Sequence, residues 1–408
     1  MKNFIVLFVI STGLICCEKP NQISFRNTSE ATIEEKGLTV RRSDFPDLTN
    51  DQKVLLVAKE DTLATQYNDL DQDGIWDEML LQLSFKPGEQ IDVNYTYMPA
   101  AEYPTFPSRA NAYLGHSPER NGQFTSVTEN KRPSDHVAQS YPFLYQCEGP
   151  IWESDVVAFR SYFDSRNGKD IFGKVKRQLI ADQIGLKGNY HELQPWGMDV
   201  LKVGTSLGAG ALAMLKNGKV YRLGPTESAT FQIVEDGPLR AKIRLSYTGW
   251  EVEGETYDLT ETLSIWAGQR WYRSEIALKG GAQAKADTLA TGIVNLAKVP
   301  QVTFAQDGWN TLYTFGKQSE NKDNLGMAVL VSEQHFSGYD QQSPEAEGVT
   351  DTYTAYLSKS IEGTYQFIFC VGWEGENSEF SDKGKFRDQL KKLPGQLNEN
   401  VETIIPKL

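Results

Sequence analysis

The sequence predicts an all-β fold, a small N-terminal β-sandwich followed by a large antiparallel β-sandwich and a C-terminal helix. Three observations predict it. Between Gly37 and Pro99 the segments LTVRRSDF, KVLLVAK, TLATQY, MLLQLSF and QIDVNYTYM alternate or cluster apolar residues as strands do, with turn residues between them. From VVAFRSYFD onward the pattern returns in MDVLKVG, GALAML, KVYRL, TFQIVED, LRAKIRLSYTGW, YDLTETLSIWAG, RWYRSEIAL, LGMAVLV, TYTAYLS and TYQFIFCVGW. Short segments this rich in β-branched and aromatic residues, broken by Gly, Pro and Asp, make a large antiparallel sandwich. Only IFGKVKRQLIADQIG and FSDKGKFRDQLKKL read as helices. In the second, Phe386, Leu390 and Leu393 share one face, and Pro394-Gly395 is the expected stop.

Each segment then takes its place along the chain. Residues 1–17, MKNFIVLFVISTGLICC, have a Lys, an apolar run too short to span a bilayer and a Cys pair, the pattern of an export signal. LICC resembles a bacterial lipobox, with Cys17 the expected lipidation site and Cys16 the alternative. A lipid there would be the only membrane attachment, with the periplasm or outer membrane as the location. Residues 18–36 are polar enough for a tether, and 37–99 form the first sandwich. Residues 100–140, rich in Pro, Asn, Ser and Arg, read as a long connection or binding loop. Residues 141–408 hold the large catalytic sandwich.

Bulk properties narrow the function. With 408 residues, 39% of them hydrophobic, the chain can build two real cores. Its formal net charge of -13 argues against a nucleic-acid partner. Cys147 and Cys370 lie far apart without metal-ligand spacing and read as buried free thiols, one disulfide being the alternative in an oxidising compartment.

The most recognisable string is NDLDQDGIWDE, which places Asp69, Asp71, Asp73 and Asp77 around Gly74. Alternating carboxylates and a Gly resemble the opening of a calcium loop, but Leu80 stands where an EF-hand needs its bidentate acid, and the flanks read as strands. Two readings fit: a structural calcium held in a β-hairpin, or an acidic turn without a metal. Neither makes the loop catalytic, and no cofactor is expected for catalysis.

Chemistry is expected elsewhere. Residues 160–177, RSYFDSRNGKDIFGKVKR, set six cations against two acids, a local reversal of sign suited to a carboxylate or sulfate. Lys169, Lys174, Lys176 and Arg177 read as a solvated helix face. Arg160 and Arg166 read as facing a polar cavity or pairing with Asp155, Asp164 or Asp170. NYHELQPWGMDVLKVG brings together Tyr190 and His191, proton-transfer groups, Trp196, a ring on which a sugar can stack, and Asp199 and Lys202, which can fix hydroxyls. The alternative makes Trp196 a core anchor and His191 a surface residue. His136, beside Asp135, is a second proton-transfer candidate, His116 a weaker one, and His335 reads as a surface-loop residue. GTSLGAGALAML lies between strands and is not a dinucleotide loop.

At GPIWESDVVAFRSYFDSRNGKDIFGK, at YHELQPWGMDVLKVGTSLGAG, in the acidic hairpin and in TGWEVEGETYDLTETLSIWAGQRWYR, the chain resembles a family of exported Bacteroidota proteins long described as a domain of unknown function. One branch comprises the ulvan-oligosaccharide dehydratases. The second domain is similar to the galactose-mutarotase-like β-supersandwich. The resemblance implies an enzyme that eliminates water from a uronic acid at the non-reducing end of an oligosaccharide. Such chemistry needs a cation on the carboxylate, a base for the hydrogen alpha to it and an acid for the departing hydroxyl. The expected catalytic set is Arg160 for the carboxylate, His191 as base with Tyr190 as its rival, and His136 as acid. Arg166, Trp152, Glu153, Trp196, Asp199 and Lys202 are the expected substrate contacts. A mutarotase-like epimerase and a non-catalytic sugar-binding lipoprotein are the alternatives.

Overall fold

The computed structural model describes residues 21–119, 122–133, 144–281 and 287–405. The expected signal, Cys16, Cys17 and His136 lie outside these residues. The all-β fold is as expected, with strands throughout and one long helix near the C-terminus.

The first sandwich pairs a five-stranded with a three-stranded antiparallel sheet. The larger runs Val401–Ile404, Gln22–Asn27, Gln90–Pro99, Gln52–Ala58, Asp61–Thr62; the smaller runs Ile33–Arg41, Glu78–Phe85, Thr65–Asn68. Ile23, Phe25, Val54, Leu56, Leu81, Phe85 and Val93 fill the space between them. Two details differ from the sequence reading. Residues 22–36, assigned to the tether, are folded, because Ile23 and Phe25 alternate inward within an otherwise polar QISFRN. The chain also returns at its end, where Val401–Ile404 pairs with the first strand, Phe25 opposite Thr403.

The large sandwich rests on a nine-stranded antiparallel sheet, whose edge strands are Glu129–Arg132 and Val302–Gln306. Against it lie two five-stranded sheets. One runs Gly197–Asp199, Lys169–Lys174, Val157–Ser161, Ile151–Ser154, Ala110–Tyr113; the other starts at the edge strand Lys219–Arg222 and ends at Phe336–Gln342. One core draws Phe159, Ile171, Met214, Ile243, Leu263, Ile293 and Phe369 from all three. On the outer face of the nine-stranded sheet sits the helix Lys383–Leu397, capped by Asp382 and burying Phe386, Leu390, Leu393 and Leu397 on Trp271, Trp309 and Ile368. Pro394 does not stop it. Placed in the last turn, it costs about one main-chain hydrogen bond and the helix runs on to Leu397.

The expected helix at IFGKVKRQLIADQIG is absent. Lys169–Lys174 is a strand, and turns follow. The cause is a buried ion pair. Lys174 Nζ is enclosed by Glu153 and the carbonyls of Ser154 and Gln178, while the Glu153 carboxylate accepts the N–H groups of Ile180 and Ala181 at 3.0 and 2.9 Å. Those bonds hold 178–181 in an irregular, non-helical path that leads into the turn from 181. Lys169 is buried as well, its Nζ 2.6 Å from Glu261 Oε1 on the opposite sheet. Of the four cations read as a solvated face, only Lys176 and Arg177 are exposed. His335, read as a surface-loop residue, is buried with Nδ1 3.3 Å from Ser358 O. Cys147 and Cys370 are both free and buried.

Candidate active site

The pleat of the five-stranded sheet decides what each residue of the site can do. On Ile151–Ser154, Val157–Ser161 and Lys169–Lys174, one face packs Trp152, Phe159 and Ile171 into the main core. The other face carries Ile151, Ala158 and Phe172 into a smaller cluster with Ile180, Ile184, Tyr190 and Trp196. Successive side chains alternate between these faces. The register sets Arg160 opposite Asp170, and Phe172 opposite Asp199 on the neighbouring strand.

Arg160 is therefore an interior residue, 1% exposed. Its Nη2 bonds Asp170, reaches Asp199 Oδ2 at 3.3 Å and donates to Tyr162 OH at 3.1 Å; its Nη1 donates to Cys147 O and lies 3.6 Å from Glu148 Oε2. Burial opposes the charge, but Tyr162, Asp170 and Asp199 outweigh it and hold the guanidinium charged. So buried, and with both terminal nitrogens already bonded, Arg160 cannot meet a substrate carboxylate directly. Its geometry suits a different task, holding Asp199.

Asp199 links this interior charge to the surface. Its Oδ2 lies 3.4 Å from His191 Nδ1, and the His191 side chain is 61% exposed. Burial first, then the charge of Asp170, raises the Asp199 carboxyl well above the usual carboxylate range, with Arg160 opposing. Tyr190 stacks obliquely on the His191 ring at 4.4 Å between centroids. Burial raises the Tyr190 hydroxyl above its ordinary pKa, against the pull of Arg160, so it is protonated at neutral pH. The site thus presents an exposed imidazole, a carboxyl behind it and a phenol beside it, a set able to give and take protons.

Below this group the hairpin tip carries Arg166. Its guanidinium is gripped by Asp164, with Nη2–Oδ2 at 2.6 Å, reaches Glu148 at 2.8 Å and covers the Tyr162 ring at 4.0 Å. Cys147 and Glu148 have φ of 49° and 64°, two successive non-glycine residues in the left-handed region. Such backbone costs energy and persists only where surroundings enforce it. Here it turns Glu148 onto both arginines.

The other expected contacts separate. Trp152, 0% exposed, stacks on Phe159, and Glu153 is enclosed with Lys174; neither can touch a ligand. Trp196 is half-buried against Phe172, and Lys202 is exposed, lining a small groove with Lys317 and Lys322. His116 leans on Tyr145 at 5.4 Å. Glu148, Tyr162, Arg132 and Arg222 were not singled out in the sequence. Asp170 is one of three acids offered in the sequence as partners for Arg160, with Asp155 and Asp164; Glu148 gives no such signal.

A cleft of about 890 Å³ opens between the first sandwich and the nine-stranded sheet, lined by Tyr67, Tyr103, Phe106, Gln232 and Arg244. Residues 100–108, the start of the expected binding loop, form one wall. Its tyrosine hydroxyls are spent internally, Tyr67 on Val54 O and Tyr103 on Thr65. The proton-transfer groups lie with His191 instead. In the acidic hairpin all four carboxylates accept main-chain N–H groups, and Asp69, Asp71 and Asp77, but not Asp73, offer oxygens within 4.8 Å of one another.

The sequence model of a family described as a domain of unknown function (DUF4861) matches residues 25–403. The chain belongs to this family. This DUF4861 protein is 21% identical over 438 residues to "Uncharacterized protein P7" of Formosa agariphila, covering 99% of this chain and all of that one. Among solved structures it is similar to a glycosyl hydrolase family 38 protein of Enterococcus faecalis, with 10% identity, a TM-score of 0.47 and 96% of this chain covered. It is also similar to an alpha-mannosidase from the same organism, at 10% identity, a TM-score of 0.44 and 95% coverage. The DUF4861 chain spans about half the length of these two proteins, 48% and 46%.

Proposed function

We propose that this DUF4861 protein is an oligosaccharide dehydratase, which eliminates water from a uronic acid at the non-reducing end of an acidic glycan. The observation that carries the reading is the exposed His191 backed by Asp199. The imidazole takes the hydrogen on the carbon alpha to the carboxylate, and that bond's electrons become the ring double bond. The hydroxyl on the next carbon leaves with a proton, as water. Tyr190, protonated and adjacent, is a source of that proton within the described residues; His136, outside them, is the source expected from its residue type and its neighbour Asp135. Asp199 orients the imidazole from behind, and Arg160 with Asp170 fixes Asp199. A signal sequence and a lipid on Cys17 would place the enzyme in the periplasm or at the outer membrane.

Incubation with uronate-ended oligosaccharides tests the reading. Loss of one water, with the ultraviolet absorbance of a conjugated acid, is the expected result. An unchanged mass with altered stereochemistry would identify an epimerase, and binding without either change a sugar-binding protein.

The acidic hairpin carries a second proposal, a structural calcium on Asp69, Asp71 and Asp77, whose hard oxygen donors suit that ion. Calcium at about 100-fold its Kd should stabilise the fold by about 2.7 kcal/mol. Chelation is expected to lower the unfolding midpoint in a calorimetric scan while leaving turnover unchanged; a midpoint indifferent to calcium would discard the ion.

A further inference from the structure

Three sheets bring one arginine each to the same place. Arg132 ends the edge strand Glu129–Arg132 of the nine-stranded sheet, and Arg222 ends the edge strand Lys219–Arg222 of one five-stranded sheet. Arg166 stands at the tip of the hairpin joining Val157–Ser161 to Lys169–Lys174 in the other. Asn167 ties them together. Its Nδ2 donates to Leu223 O and Gly224 O at 2.9 and 3.0 Å, and its Oδ1 accepts from Arg132 Nη1 at 3.3 Å.

Arg166 has its carboxylates, but its neighbours do not. Among the described residues Arg132, 6% exposed, donates to two neutral oxygens, Asn167 Oδ1 and Thr226 Oγ1. Arg222 donates to the main-chain oxygens of Arg166 and Ser206. Among the described residues no carboxylate lies within ion-pair distance of either. Withdrawing a guanidinium from water without an anion is costly, and each of these two has donors arranged in a planar fork. Burial, and then the charge of Arg166, holds Arg222 down at about 10, with Asp164 and Tyr162 opposing from beyond ion-pair distance.

We propose that Arg132 and Arg222, with Arg166 beside them, form an oxyanion subsite that receives the carboxylate or sulfate ester of an acidic glycan. The glycan as source of the oxyanion rests on the dehydratase reading; the subsite itself does not. Contacts run from Arg222 through Arg166 and Glu148 to Arg160 and Asp199, whose Oδ2 lies 3.4 Å from His191 Nδ1. The subsite supplies the cation that buried Arg160 cannot.

Titration calorimetry of the full chain with inorganic sulfate, unsulfated uronate-ended oligosaccharide and sulfated neutral oligosaccharide tests this. Arg132→Gln and Arg222→Gln should each weaken sulfate binding at least about tenfold, the share of one charged fork. Arg222→Lys, which keeps the charge and guards against misfolding of the Gln variants, should fall between. The stronger of the two oligosaccharides identifies which oxyanion is read. No sulfate binding to the unmodified protein, or equal binding by all variants, would overturn the subsite. Sulfate binding lost in the variants, with no turnover of any uronate, would keep the subsite and discard the dehydratase. Normal turnover by both Gln variants with unchanged binding would do the reverse.

Discussion

Arg160→Met is expected to lower the free energy of unfolding by about 3–5 kcal/mol, the usual cost of removing one partner from a buried charge cluster. Methionine keeps much of the volume, so the loss is electrostatic: Asp170 and Asp199 lose the cation they share, while Glu148 keeps only Arg166. Their repulsion falls on the folded state alone, since water separates them in the unfolded chain. Adding Asp170→Asn should recover part of the loss by removing one of the stranded charges. Urea denaturation of the three proteins measures both effects. A single variant within about 0.5 kcal/mol of the parent would show that the cluster is solvated, contrary to its burial.

His191→Ala should do the opposite. Its exposed side chain makes little of the fold, so stability should move by no more than about 0.5 kcal/mol. Turnover of a uronate-ended oligosaccharide should fall about 10²–10⁴-fold, the range for a lost proton-transfer group. Tyr190→Phe serves as the comparison, because it keeps the ring packed on His191 while removing the hydroxyl. Near-normal turnover in His191→Ala would move the base to another residue. The contrast between Arg160 and His191 is the sharpest use of the geometry: one variant should fail as a fold, the other as a catalyst.

The architecture was legible because strand periodicity survives in single segments. Alternation in KVLLVAK or LRAKIRLSYTGW reads directly as one buried and one exposed face. The site was legible by residue type only. RSYFDSRNGKDIFGKVKR displays its charges, but nothing in the string tells that Lys169 and Lys174 point inward to Glu261 and Glu153, from 92 and 21 residues away. Buried ion pairs of this kind look like surface charge until the partner is known. Trp152 and Glu153 failed for the same reason: next to each other in sequence, they enter opposite faces of a sheet that is covered on both. Arg132 and Arg222 were invisible because two edge strands and a hairpin tip, from three separate sheets, meet there.

The last strand has a consequence for how the molecule comes into being. Residues 401–404 form the outer rung beside Gln22–Asn27, so the first sandwich is built from both ends of the chain. A ribosome releases the opening strand some 370 residues before its neighbour, and until then that edge stands bare, open to unwanted partners. The two domains are consequently not beads added in order. The large sandwich lies within the stretch of chain whose two ends this pairing joins.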